Sequence, residues 1–133
     1  MRADVVEVGT AEDGTIAAPS QDPVHTVGWY ANGPSPGEPG TAIMVGHVDT
    51  HDRAAVFQRL PELRAGARIE VRRQDRRVAT FTVDSVESFP KTAFPADRLL
   101  VHDETPRLAL VTCGGEWLGS SYADNVIVFA HLI

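Results

Sequence analysis

The run Leu108-Ala109-Leu110-Val111-Thr112-Cys113-Gly114-Gly115 reads as an apolar β-strand that ends in the chain's only cysteine and then in two residues without side chains. A thiol at such a strand end is open to a bulky substrate. Far upstream, Met44-Val45-Gly46-His47-Val48-Asp49 is a second apolar strand, and it ends in a histidine. A strand-end Cys and a distant strand-end His suggest a thiol nucleophile with an imidazole partner. The competing reading is plain packing. A lone Cys among apolar neighbours is usually a small buried hydrophobe, and reactivity depends on thiolate character that a sequence does not display.

Outward from these two stretches, helical periodicity is scarce. Short β-type runs are separated by Gly, Pro and Asp, the pattern of a β barrel or sandwich. The expected strands are Asp4-Val8, Thr15-Ala17, Thr26-Tyr30, Thr41-Val48, Arg68-Arg73, Val78-Val86, Arg107-Thr112 and Asn125-Leu132. Asn32 to Gly40 is a loop, because its prolines lack ladder donors and its glycines interrupt any regular element. A short helix is expected at Ala54-Leu60, where Val56, Phe57 and Leu60 share a face and Pro61 ends it. Ser88 to Pro106 has no clean period and carries Pro90, Pro95 and Pro106. A structureless connection of that length is either functional or an irregular packed crossover.

The 133 residues suit one domain with a single core. A hydrophobic content of 43% with 23% charged residues fits a globular chain and excludes a disordered one. One cysteine excludes an intrachain disulfide, so the redox compartment stays open. The net charge of −6 argues against a nucleic-acid partner. Arg72-Arg73 and Arg76-Arg77 around Gln74-Asp75 fit the solvated tip of a hairpin better than a phosphate-binding face. No stretch approaches the roughly 20 apolar residues of a membrane span, and no leader pattern is present. Met1-Arg2-Ala3 leads directly into Asp4-Val8, as in a chain trimmed from a longer precursor or one with a mis-assigned start.

Strand alternation relates the remaining candidates. Cys113 shares a face with Val111 and Ala109, while Thr112 points the other way. In the last strand Asn125, Ile127 and Phe129 lie on one face. If that strand pairs with the Cys113 strand, Asn125 stands near the thiol, and Glu116 to Tyr122 is short enough to join neighbours. His47-Val48-Asp49-Thr50-His51 also admits a metal reading with three ligands. It has no clear fourth ligand nearby, although His25, His102 and His131 exist elsewhere, and no metal is assigned. Trp29-Tyr30 precedes the Pro/Gly loop, where aromatics either line a groove or anchor the loop in the core. Trp117 is a substrate wall or a packing residue.

Taken together, the chain resembles the sortases, the cysteine transpeptidases of Gram-positive bacteria, and among them the actinobacterial class E/F type. The matching stretches are Val27-Gly28-Trp29-Tyr30, Pro36-Gly37-Glu38-Pro39-Gly40-Thr41-Ala42, Gly46-His47-Val48-Asp49, Ala55-Val56-Phe57-Gln58-Arg59-Leu60, Leu110-Val111-Thr112-Cys113-Gly114-Gly115 and Tyr122 to Ala130. They recur in the family's order over nearly the whole chain. The resemblance implies a mostly β fold: a closed, eight-stranded β-barrel with one or two short helices and a groove ending at the cysteine. It implies a single sortase catalytic domain over 1–133 that lacks the family's N-terminal anchor and part of its first strand, which leaves an unpaired edge.

The implied reaction is attack by the Cys113 thiolate on the threonine carbonyl of an LPXTG-like sorting signal. The Thr–Gly bond breaks, and an amine from a cell-wall precursor or a pilin resolves the acyl-enzyme. His47 would protonate the departing amine and later accept a proton from the incoming one. Tyr30, Val45, Val111, Thr112, Gly114, Trp117 and Tyr122 are the expected substrate contacts, with the Phe89 to Leu100 segment shaping the pocket. No cofactor is implied. The partners are secreted proteins bearing sorting signals, and the place is the outer face of the cytoplasmic membrane or the cell wall.

One departure stands out. The family's arginine after the cysteine is missing, since no Arg or Lys occurs from Cys113 to Ile133. Ala123 and Asn125, two apart and on one face if the strand extends that far, fill its expected positions, and Asn125 donates hydrogen bonds without charge, a kind of donor worth about 3 kcal/mol in oxyanion holes. Arg98 and Arg107 are the other candidates. A non-catalytic module that binds sorting signals on the same barrel is the alternative function.

Overall fold

The structure, a computed structural model, describes residues 4–10, 16, 26–48, 56–99, 104–118 and 122–133, with the backbone alone for 113–117 and 122. Its strands are β1 (Asp4–Val8), β2 (Thr26–Tyr30), β3 (Gly40–Val45), β4 (Arg68–Arg72), β5 (Val78–Pro90), β6 (Pro106–Trp117) and β7 (Tyr122–Leu132). Among the described residues all seven belong to one sheet, in the order β1-β2-β3-β6-β7-β5-β4. The mostly β, sortase-type expectation stands. Its eighth strand and its closure are not among the described pairings. The sheet curls until its edge strands, β1 and β4, flank a cleft of about 400 Å³ lined by Val5, Val6, Trp29, Met44 and Val71. The exposed Val5 and Val6 on β1 make this edge apolar, and among the described residues no strand pairs with its outer side.

The centre of the sheet is apolar on both faces, as strands covered on both sides must be. One face, inside the curl, buries Ala42, Met44, Leu108, Leu110, Val128, Phe81 and Val83 together with Phe57 and Leu60. The other buries Ile43, Ala109, Val111 and Ile127 beneath Leu99, with Tyr30, Val45, Phe89, Phe94 and Phe129 packed around them. Odd-numbered residues of β3, β6 and β7 fall on the second face and even-numbered ones on the first, the period-2 alternation of a strand.

Several local expectations change. β5 runs to Pro90, well beyond Val86, and absorbs a register shift between Val83 and Ser85. Its terminal proline costs nothing there, because a strand end needs no further ladder donor. The expected helix at Ala54-Leu60 is instead a turn over 56–59 followed by a 3-10 helix at Leu60–Glu62; residues 54 and 55 lie outside the described residues. Pro61 is the second residue of that 3-10 helix and does not end a helix, since its fixed φ and missing donor suit a first turn. The shared face of Val56, Phe57 and Leu60 is nevertheless buried.

The Ser88–Pro106 connection carries structure of its own. After β5 come a 3-10 turn at Lys91–Ala93 and a one-turn helix α1 (Ala96–Leu99), whose Leu99 is buried. Of the expected strand Thr15-Ala17 only Ile16 is described, bridged to Thr10. The arginine-rich stretch is the β4–β5 hairpin tip: the Arg73 amide donates to Arg77 O at 2.8 Å and Asp75 caps the Arg77 amide at 3.0 Å.

Candidate active site

Three strands place the candidate residues. β3 and β6 run parallel, and their last paired residues are Val45 and Val111. The Gly46 amide carries the ladder one step further, donating to Val111 O at 3.1 Å. His47 lies two residues beyond Val45, past the end of β3, and Cys113 two beyond Val111 within β6, so both follow the same end of the β3–β6 ladder. Neighbouring strand backbones are about 4.8 Å apart. β6 and β7 pair antiparallel, with Cys113 opposite Asn125, and β5 continues the row with Phe89 opposite Asn125. Positions 113, 125 and 89 therefore form one row across three adjacent strands, and His47 follows just past the end of the neighbouring β3.

The histidine past the end of β3 is held by a close backbone approach. A Cβ on Gly46 would come within 2.6 and 2.8 Å of two ring carbons of Phe57 and 2.9 Å of Val56 Cγ1. Only glycine lets the turn at 56–59 lie this close. The Phe57 amide then donates to His47 O at 2.9 Å, which ties the histidine backbone to a buried anchor. His47 itself is half-buried.

Within the row, the half-buried Asn125 directs its amide to Thr112 O at 3.5 Å, a long contact that leaves the amide weakly held. Its neighbour Phe89 meets Phe129 edge to face, with centroids 6.3 Å apart. The Arg98 guanidinium lies 4.2 Å over the Phe129 ring and donates both ends of its fork to Glu87, at 3.1 and 3.0 Å. This hydrogen bonding, with help from the Ser85 hydroxyl, holds the Glu87 carboxyl below the ordinary range, and the same contact to Glu87 raises Arg98.

The remaining predicted residues divide. Val45 and Tyr30 pack on the face of the row, and Val111 is buried in it. Tyr30 Oη lies 3.3 Å from Thr10 Oγ1, a bond that lowers the phenol's pKa. The Thr112 side chain turns to the opposite face, fully buried, with its hydroxyl unpartnered among the described residues, so only its carbonyl reaches toward the row. Gly114 pairs with Asp124 and Trp117 with Tyr122 across an irregular hairpin; the Trp117 and Tyr122 side chains lie outside the described residues. Trp29 takes its anchoring role, its indole donating to Pro34 O at 2.9 Å.

Asp49, His51, His25 and His102 lie outside the described residues. His131 sits at the far end of β7, opposite Arg107 and 2.6 Å from Asp84, away from His47. Arg107 is likewise remote, six residues before Cys113 on β6. The element that sequence reasoning missed is the Glu87–Arg98 pair. Eleven residues separate its members, and nothing in either neighbourhood marks them as partners.

The family model of the sortase domain matches residues 1–133. Solved structures agree in fold. Sortase C-1 from Actinomyces oris superposes with a TM-score of 0.73 at 17% identity, covering 97% of this chain and 65% of that one. Sortase C from Clostridium perfringens SM101 gives 0.68 at 16%, covering 97% and 61%. The lid mutant of sortase A from Corynebacterium diphtheriae gives 0.70 at 16%, covering 89% and 61%. The chain thus spans less than two thirds of the length of each. No match was found among curated proteins. The chain belongs to the sortase family, whose members are generally cysteine transpeptidases acting on proteins with sorting signals at the Gram-positive membrane or wall. Among the described residues no helix is long and apolar enough to cross a membrane.

Proposed function

We propose that this chain is a cysteine transpeptidase of the actinobacterial class E/F type, a single catalytic domain over its 133 residues. It cleaves an LPXTG-like C-terminal sorting signal between Thr and Gly, and passes the acyl group to a cell-wall or pilin amine at the outer face of the membrane. The observation that supports the reading is the pairing of Cys113 with Asn125 across β6 and β7, next to a parallel β3–β6 ladder that ends two residues before His47 and Cys113.

Cys113 attacks the threonine carbonyl. The C–S bond forms as the C–N bond breaks, and His47 gives the proton to the departing glycine amine. The resulting thioester splits one difficult amide exchange into two easier steps. An incoming amine then loses its proton to His47 as it displaces the thiolate. Asn125, opposite the nucleophile, is the neutral donor available to the oxyanion where relatives use a guanidinium. Tyr30, Val45, Val111, Gly114, Trp117 and Tyr122, with the backbone of Thr112, line the approach. The test is mass spectrometry after incubation with an LPXTG peptide. A mass addition on Cys113, resolved by a glycine-based amine and absent in Cys113→Ala, supports the mechanism; unmodified Cys113 with intact peptide rejects it.

The second reading is a sortase-like peptide-binding module with little or no turnover. What favours it is Asn125, which lacks charge and already spends its amide on Thr112 O at 3.5 Å. Peptide binding without any acyl-enzyme would select this reading.

A further inference from the structure

The crossover between β5 and β6 is held to the face of the candidate row by the buried Leu99, by Phe94 and, at its polar rim, by the Arg98 guanidinium. Arg98 belongs to α1, four residues long and without stability of its own at that length. It is fixed three ways: by its bidentate contact to Glu87, by the Phe129 ring 4.2 Å beneath it, and by Phe89 at 5.7 Å. Glu87 accepts a further hydrogen bond from the Ser85 hydroxyl at 2.9 Å. Phe89 pairs with Asn125 and Glu87 with Ile127, so the clamp closes beside the Cys113 row and one row short of it. The side chains of the pair are 50% and 38% exposed, and a pair that open to water adds little to fold stability. Such geometry on such a weak stabiliser is better suited to holding a short element in place than to holding the fold together.

We propose that Arg98, held by Glu87, is a positioning residue: it fixes α1 as one wall of the peptide trough leading to Cys113 and, with its charge cancelled by Glu87, leaves that wall suited to an uncharged, extended stretch of the substrate. It does not replace the absent arginine of the last strand, because both ends of its fork are already committed. This inference rests on the transpeptidase reading. The physical consequence is a preference in binding, with the chemical step untouched.

The experiment uses a fluorescein-labelled LPETG peptide and fluorescence anisotropy on the Cys113→Ala chain, alone and combined with Arg98→Lys, Glu87→Gln, or the reversed pair Arg98→Glu with Glu87→Arg. Each single change should weaken binding roughly three- to tenfold. The reversed pair should recover part of the loss, and melting temperatures should move by no more than about 3 °C. In the active chain the same single changes should raise KM by that factor and leave kcat within about twofold. Binding unchanged in both single variants overturns the inference alone, as does loss of binding in step with a fall in melting temperature. A hundredfold fall in kcat for Arg98→Lys, the size expected of a lost oxyanion donor, would make Arg98 the charge supplier and overturn it too. If the parent chain does not bind the peptide, the transpeptidase reading itself fails, and this inference with it.

Discussion

The two faces of the same central strands serve different ends. Inside the curl, Phe81, Val83, Leu108 and Val128 are sealed, and the one polar side chain buried there from β6, Thr112, has no partner among the described residues. On the other face an equally apolar base of Ala109, Val111 and Ile127 is rimmed by Tyr30, Phe89 and Phe129, and by the polar residues Asn125, Glu87 and Arg98. Adjacent residues of one strand therefore answer to different constraints. Even positions of β6 and β7 hold the fold, whereas odd positions lead to the cysteine and leave their polar groups partly in water. A packed interior admits few such groups, and Thr112 is the exception among the described residues.

That contrast can be broken or sharpened by substitution. The largest effect should come from Phe81→Ala on the sealed face. Deleting a fully buried ring costs about 3–5 kcal/mol, measurable by urea denaturation. A loss below about 1 kcal/mol would mean that this face is not the core. His47→Ala at the candidate site should reverse the pattern: transpeptidation falls about a hundredfold or more in a peptide assay, while stability changes by about 1 kcal/mol or less. Equal damage to both properties would erase the distinction between the faces.

Gly46→Ala links the two regions. Its new methyl has no room against Phe57 and Val56, so the turn at 56–59 must move, costing about 1–3 kcal/mol. Because the Phe57 amide holds His47 O, kcat should fall along with melting temperature. The smallest effect belongs to Thr112→Val. Removing a buried hydroxyl that lacks a partner should be neutral or stabilise the chain by about 1 kcal/mol, with turnover unchanged. A clear loss of stability would reveal a partner for that hydroxyl.

Much of this was legible in the chain. The last strand and the Arg-rich hairpin tip stand where their patterns put them, and Asn125 lies opposite Cys113 because the last strand does pair with β6, whereas β3 stops at Val45 before His47 and β6 runs on past Cys113 to Trp117. Prolines misled at the edges. Pro90 reads as a breaker and closes a strand, and Pro61 reads as a terminator and stands second in a 3-10 helix, because each lies where a missing N–H has no consequence. The Ser88–Pro106 crossover could not be read, since its order comes from long-range contacts of Arg98 and Leu99 and carries no repeating pattern.

Local composition alone determined the strand-rich character of this protein, the residue types available for acyl transfer and the face each would occupy, because backbone alternation and turn chemistry act over a few neighbours. Only the tertiary structure decided which strands lie side by side. The parallel placement of β3 against β6 sets Val45 beside Val111, although 66 residues separate them in the chain. Such a neighbourhood is chosen by the joint burial of two sheet faces, and no short stretch of sequence carries that information.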